Sequence, residues 1–134
     1  VLRAPDATLC LLSALSHHDL TDAIPTAIDV ALPRSTRQPR VRAPVRWHRF
    51  HEPTFRLGRE TITVDDGLAL GVYSATRSIV DAFRLRHQEG EDIAIGALRR
   101  WLQRPGTQPA DLLTIAAHFP KAEPSILHAL RILT

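Results

Sequence analysis

The chain is predicted to be α+β. Strand-like alternation is confined to residues 27–73, helical periodicity fills 75–133, and one apolar helix precedes both. Strands segregated from helices argue against a doubly wound sheet. The expected architecture is a short, mostly antiparallel sheet with one N-terminal helix and about four C-terminal helices. A length of 134 residues suits one domain spanning 1–134 with a modest core.

The elements follow in order. Asp6, after Pro5, is expected to cap a helix over "ATLCLLSALSHH", whose Leu9, Leu11, Leu12 and Leu15 leave almost no polar face. "TAIDVALP" alternates Ile28, Val30 and Leu32 against Ala27, Asp29 and Ala31, as a half-buried strand ended by Pro33. Pro33, Pro39 and Pro44 then make an extended loop, and "VRWHRF" (45–50) reads as a second strand. "ETITVDDGLALGVYS" predicts a hairpin, with Asp66-Gly67 as a favoured two-residue turn. Ser74 is placed to cap a helix over "ATRSIVDAFRLRHQ", which Gly90 breaks. "EDIAIGALRRWLQR", "ADLLTIAAHF" and "PSILHALRIL" are three further helices, the second and third with proline near their starts.

Charge is distributed unevenly. The net charge is +3, yet "PRSTRQPRVRAPVRWHRFH" (33–51) holds six arginines and no acid. Outside it, 11 basic and 14 acidic residues leave −3. A mildly acidic body with one cationic segment steers an anionic partner to one place. Arg34, Arg37, Arg40, Arg42 and Arg46 are the candidate contacts, with Trp47 beside them able to stack on bases or arginine. A nucleic acid, an acidic protein partner and a plain solvated loop all fit this pattern.

No apolar run approaches the roughly 20 residues of a membrane span. A single cysteine, Cys10, excludes an internal disulfide and implies a reducing cytoplasm. The chain lacks methionine and begins without a signal-peptide layout, so a fragment or processed piece is expected.

Catalytic and metal patterns are weak. The seven histidines, among them His17-His18 and His48/His51, lack any C-x-x-C or H-E-x-x-H spacing, so neither a metal nor a cofactor is expected. Ser13, His17 and Asp19 lie close in sequence, but no G-x-S-x-G elbow supports a triad. A metal-dependent nuclease using Asp29, Asp65 or Asp81 is the enzymatic alternative, although no acid-x-lysine pair accompanies them. "PSILHALRIL" is too apolar to be a recognition helix. Arg77 and Asp81 stand i, i+4 in the unfavourable order, cation first, which implies that tertiary partners hold them. Sheet carbonyls or Asp29 are the expected partners of Arg77, fixing its helix to the sheet.

Two stretches resemble a known family. "LCLLSALSHHDLTDAIPTAIDVALPRS", with Ser13, Ala14, Leu15, Leu20, Thr21, Pro25, Pro33 and Arg34, is similar to AbiEi-type antitoxins and related transcriptional regulators. "VYSATRSIVDAFRLR", with Ser74, Arg77, Ser78 and Asp81, resembles that family's strand followed by an S-x-x-R-[ST]-x-x-D helix. The similarity covers essentially the whole chain. It implies the C-terminal domain of a type IV toxin–antitoxin or abortive-infection regulator, without the N-terminal winged helix that binds operator DNA. The implied protein is not an enzyme. Its implied partners are a nucleotidyltransferase-like toxin and DNA, the latter aided by backbone contacts from residues 34–49. Ser13, Leu15, Pro25, Ser74, Arg77 and Asp81 then hold structural positions. A stand-alone DNA-binding regulator is the remaining alternative.

Overall fold

A computed structural model describes residues 5–63 and 69–134. Among these are five strands, β1 (Thr8–Leu9), β2 (Ile28–Pro33), β3 (Val45–Phe50), β4 (Arg59–Thr63) and β5 (Ala69–Tyr73). Seven helices accompany them: α1 (Leu11–His17), α2 (Glu52–Phe55), α3 (Ala75–Arg84), α4 (Arg86–Glu89), α5 (Glu91–Leu102), α6 (Pro109–Ala116) and α7 (Glu123–Leu133). The fold is α+β, with a long helical half following a small sheet. The expected Asp66-Gly67 turn, with Asp65, lies outside the described residues.

The sheet order is β3-β2-β1-β5-β4. β1 pairs antiparallel with β2, and β4 with β5; β1–β5 and β2–β3 are parallel. The parallel β2–β3 pair follows from the loop between them. Residues 34–44 carry the chain back along β2, so that Ile28 meets Val45 and Pro33 meets Phe50.

The N-terminus departs from expectation. Thr8 and Leu9 form the central strand, and α1 begins only at Leu11. Its N-cap is Cys10, which makes no side-chain cap bond. Asp6 is therefore not a helix cap; its carboxylate pairs with Arg56 instead. Leu11 adopts φ 49°, turning the chain from strand to helix in a region costly for a side chain by about 1–2 kcal/mol. Burial of Leu11 with Cys10, Ala31, Phe55 and Tyr73 offsets that cost.

β2 is also not half-buried. Val30, Ala31 and Leu32 are all sealed, and so is Asp29. Alternate residues still face opposite ways: Ala31 joins Phe50, Phe55 and Tyr73, whereas Val30 and Leu32 join Ala7, Leu9, Val45 and Trp47. Both faces of the strand are covered.

The helical half matches its periodicity. Ser74 Oγ accepts from the Arg77 amide at 3.2 Å, the expected cap of α3. The anticipated long helix breaks at Leu85 (φ −110°, ψ 25°) into α3 and the single turn α4. Ile79, Val80, Phe83, Leu98, Trp101, Leu112 and Ile126 bring α3, α5, α6 and α7 together, with Leu15 and Leu20 closing the core. Each such aliphatic or aromatic side chain contributes about 1.5–3 kcal/mol on burial. Ile126, Ala129 and Leu130 turn α7 inward, as its apolar composition requires.

Candidate functional site

The arginine segment is held at its ends and open between them. Glu52 Oε1 accepts from the Ser35 amide at 3.1 Å, and Arg49 donates to the carbonyls of Thr36 and Pro33. At the far end the Ile28 amide donates to the Pro44 carbonyl at 3.0 Å. Arg34, Arg37, Arg40 and Arg42 are all exposed, and none makes an ion pair with a described residue. Pro39 and Val41 line a shallow depression with Val45 and Trp47. Trp47 is thus half-buried against the sheet, beside the loop.

Arg46 differs from these four. Its guanidinium lies 3.1 Å from Glu89 and 3.6 Å from Asp29, and 48% of the side chain is exposed. Asp29 is bound on every side. His48 Nε2 donates to Oδ1 at 3.0 Å, the Asp29 amide donates to Ser13 Oγ at 2.8 Å, and the Cys10 amide donates to the Asp29 carbonyl at 3.1 Å. Ser13 accordingly ties α1 to β2. Leu15 is fully buried, and Pro25 is half-buried in the connection between α1 and β2.

A second cluster is buried under α3. Arg77 Nε donates to both Asp81 oxygens at 3.0 Å, and Nη1 donates to the carbonyls of Thr54 and Leu57, each at 2.7 Å. Arg84 donates to Asp81 Oδ1 at 2.9 Å. Arg77 reaches backbone carbonyls as expected, but these belong to α2 and the turn after it, not to the sheet. It reaches Asp81 rather than Asp29. The unfavourable helical order did not prevent that pairing: a dipole effect of about 0.3–1 kcal/mol is small beside charge-assisted bonds in a dry site.

Gly58 makes this geometry possible. Its φ is +75°, and a Cβ there would stand 2.6 Å from Arg77 Cβ. Its carbonyl accepts from the Ser74 amide at 2.7 Å, so the turn lies directly against the start of α3. Tyr73 completes the cluster. Its hydroxyl donates to the Phe55 carbonyl at 2.6 Å, and burial pushes its pKa upward, Arg77 opposing. Burial also raises the Cys10 thiol, with Asp81 and Asp29 adding to the effect.

These contacts engage two of the three carboxylates named for metal chemistry, Asp29 and Asp81; Asp65 lies outside the described residues. Asp29 faces His48 and Arg46, and Asp81 faces Arg77 and Arg84. Among the described residues no group of three His, Cys, Asp or Glu side chains is placed to hold a metal ion. No described helix is long and apolar enough to cross a membrane. Sequence reasoning did not identify α2 or Glu52 as an anchor of the arginine loop, nor Arg84 as the second cation on Asp81. No family model matches this chain, and no curated protein does.

Proposed function

We propose that this chain is a non-enzymatic regulatory domain of the AbiEi antitoxin and transcriptional-regulator kind. Its role is to counter a nucleotidyltransferase-like toxin and to assist DNA binding through the loop at 34–42. One observation supports this most: four exposed arginines within nine residues have no acidic partner among the described residues. Like charges so close repel one another, and an external polyanion relieves that repulsion while releasing its own counterions. Contacts of this kind position a protein on the phosphate backbone without reading sequence. The loop's pinned ends limit the ordering cost of engagement.

The resemblance in "LCLLSALSHHDLTDAIP" and "VYSATRSIVDAFRLR" supplies the choice of partner. The residues that carry the resemblance include Ser13, Ser74, Arg77 and Asp81, which make hydrogen bonds linking α1 to β2 and α2 to α3, and Leu15, which packs in the helical core. Co-expression with the product of the adjacent gene tests the reading. Co-purification together with restored growth is the expected result. Neither a complex nor rescue would remove the antitoxin role.

A further inference from the structure

The arginine cluster carries more positive charge than it neutralises. Arg77 and Arg84 share one carboxylate, Asp81. Arg77 is wholly buried, and its Nη2 has no hydrogen-bond partner among the described residues. The guanidinium carbon sits 4.1 Å from the Tyr73 ring centre and 4.7 Å from that of Phe119. The rings attract the charge but accept no conventional hydrogen bond. A buried guanidinium donor without an acceptor is costly.

A pocket of about 390 Å³ adjoins this guanidinium. Arg77, Arg84 and Phe119 form part of its wall, with His51, His118 and Lys121 alongside; no acidic side chain lines it. Its size is at the small-ligand end of binding sites. With Asp81 counted, Arg77, Arg84 and Lys121 leave two positive charges around it. A phosphate monoester carries about −1.5 to −2 at neutral pH and three acceptor oxygens, which matches both the charge and the missing acceptor. A single carboxylate would leave one cation unmatched.

We infer that this pocket binds a phosphate monoester of nucleotide size. Its phosphoryl group lies on Arg77 Nη2, Arg84 and Lys121, and its organic portion lies against Phe119. Nη2 is sealed from solvent, so a phosphoryl oxygen reaches it only by displacing a neighbouring side chain. Arg84, 21% exposed, is the movable one: its guanidinium swings from Asp81 onto the phosphoryl group and so remains a contact.

Calorimetric titration with AMP, adenosine and inorganic phosphate as probes, in phosphate-free buffer, tests this. AMP should saturate one site with a Kd below about 1 mM, at least about tenfold tighter than adenosine. Lys121→Glu, at an exposed position, should weaken AMP about tenfold without moving the melting curve. Arg37→Gln with Arg40→Gln should leave AMP affinity unchanged, which separates the pocket from the loop. No saturable binding of AMP, equal affinity for adenosine, or loss of binding in the loop variant would overturn the inference. Inorganic phosphate binding as tightly as AMP would overturn the ester and assign the site to free phosphate.

Discussion

Replacing Asp81 with asparagine removes the carboxylate that Arg77 and Arg84 share while keeping the side chain's size. Arg77 has no exposed surface on which to find water, so its charge is stranded; Arg84 is 21% exposed and can turn outward. Breaking a buried pair by removing one member costs about 3–5 kcal/mol, and the escape of Arg84 favours the lower figure. For 134 residues at about 2.1 cal/mol/K each, unfolding entropy is about 0.28 kcal/mol/K, so 3 kcal/mol corresponds to about 11 °C in Tm. Circular-dichroism melts at pH 7 in phosphate-free buffer measure this directly. Asp111→Asn, on the exposed first turn of α6, serves as the control and should cost no more than the helix-dipole contribution of about 1 kcal/mol. Adding Arg77→Met to Asp81→Asn should cost less than the two single changes together, because neither charge is then left alone. A loss in Asp81→Asn below about 3 °C would refute the claim that this carboxylate compensates a buried cation.

Other outcomes follow from the same contacts. Arg77→Met alone should also lower Tm, since the carbonyls of Thr54 and Leu57 lose their donor; an unchanged melt would contradict its assignment as the joint between α2 and α3. Gly58→Ala should destabilise by about 2–4 kcal/mol in urea titration, combining left-handed strain with the clash against Arg77 Cβ, and a neutral result would contradict the close approach. The raised Tyr73 pKa means that its protonated form supports the fold. That contribution is complete below its ordinary value of about pH 10 and is lost as pH climbs above it, so the urea midpoint should drop between about pH 10 and pH 12, less so in Tyr73→Phe. A flat profile would sink the argument. Cys10 should resist thiol reagents in the native state and react on unfolding; immediate native labelling would contradict its burial.

Legibility followed the strength of local signals. The hairpin strands, the Ser74 cap and the three C-terminal helices carry their own periodicity and punctuation, and the structure places them where these signals do. Thr8–Leu9 does not: two residues cannot display a period, and the leucines that follow suggest a helix already under way. β2 reads as half-buried because Asp29 alternates with apolar residues. Its burial depends on Ser13 of α1 and on His48 and Arg46 of β3, which arrive from two other segments. The order Arg77-then-Asp81 signals tertiary involvement, and backbone carbonyls do meet Arg77. Which carbonyls they are depended on α2, a four-residue turn with almost no pattern of its own. Of the six arginines that look alike in sequence, four are open, while Arg46 and Arg49 are engaged with Glu89, Asp29 and backbone oxygens. Composition cannot make that distinction, because it depends on what folds next to each side chain.

The most direct test of the central proposal is the salt dependence of duplex-DNA binding, followed by fluorescence anisotropy. The wild-type chain is compared with a variant carrying glutamine at Arg34, Arg37, Arg40 and Arg42. Four phosphate contacts at about −0.9 each predict a slope of log K against log salt near −3.6 for the wild type, falling toward zero in the variant. Equal affinity and equal slope for the two proteins would contradict the role assigned to the loop.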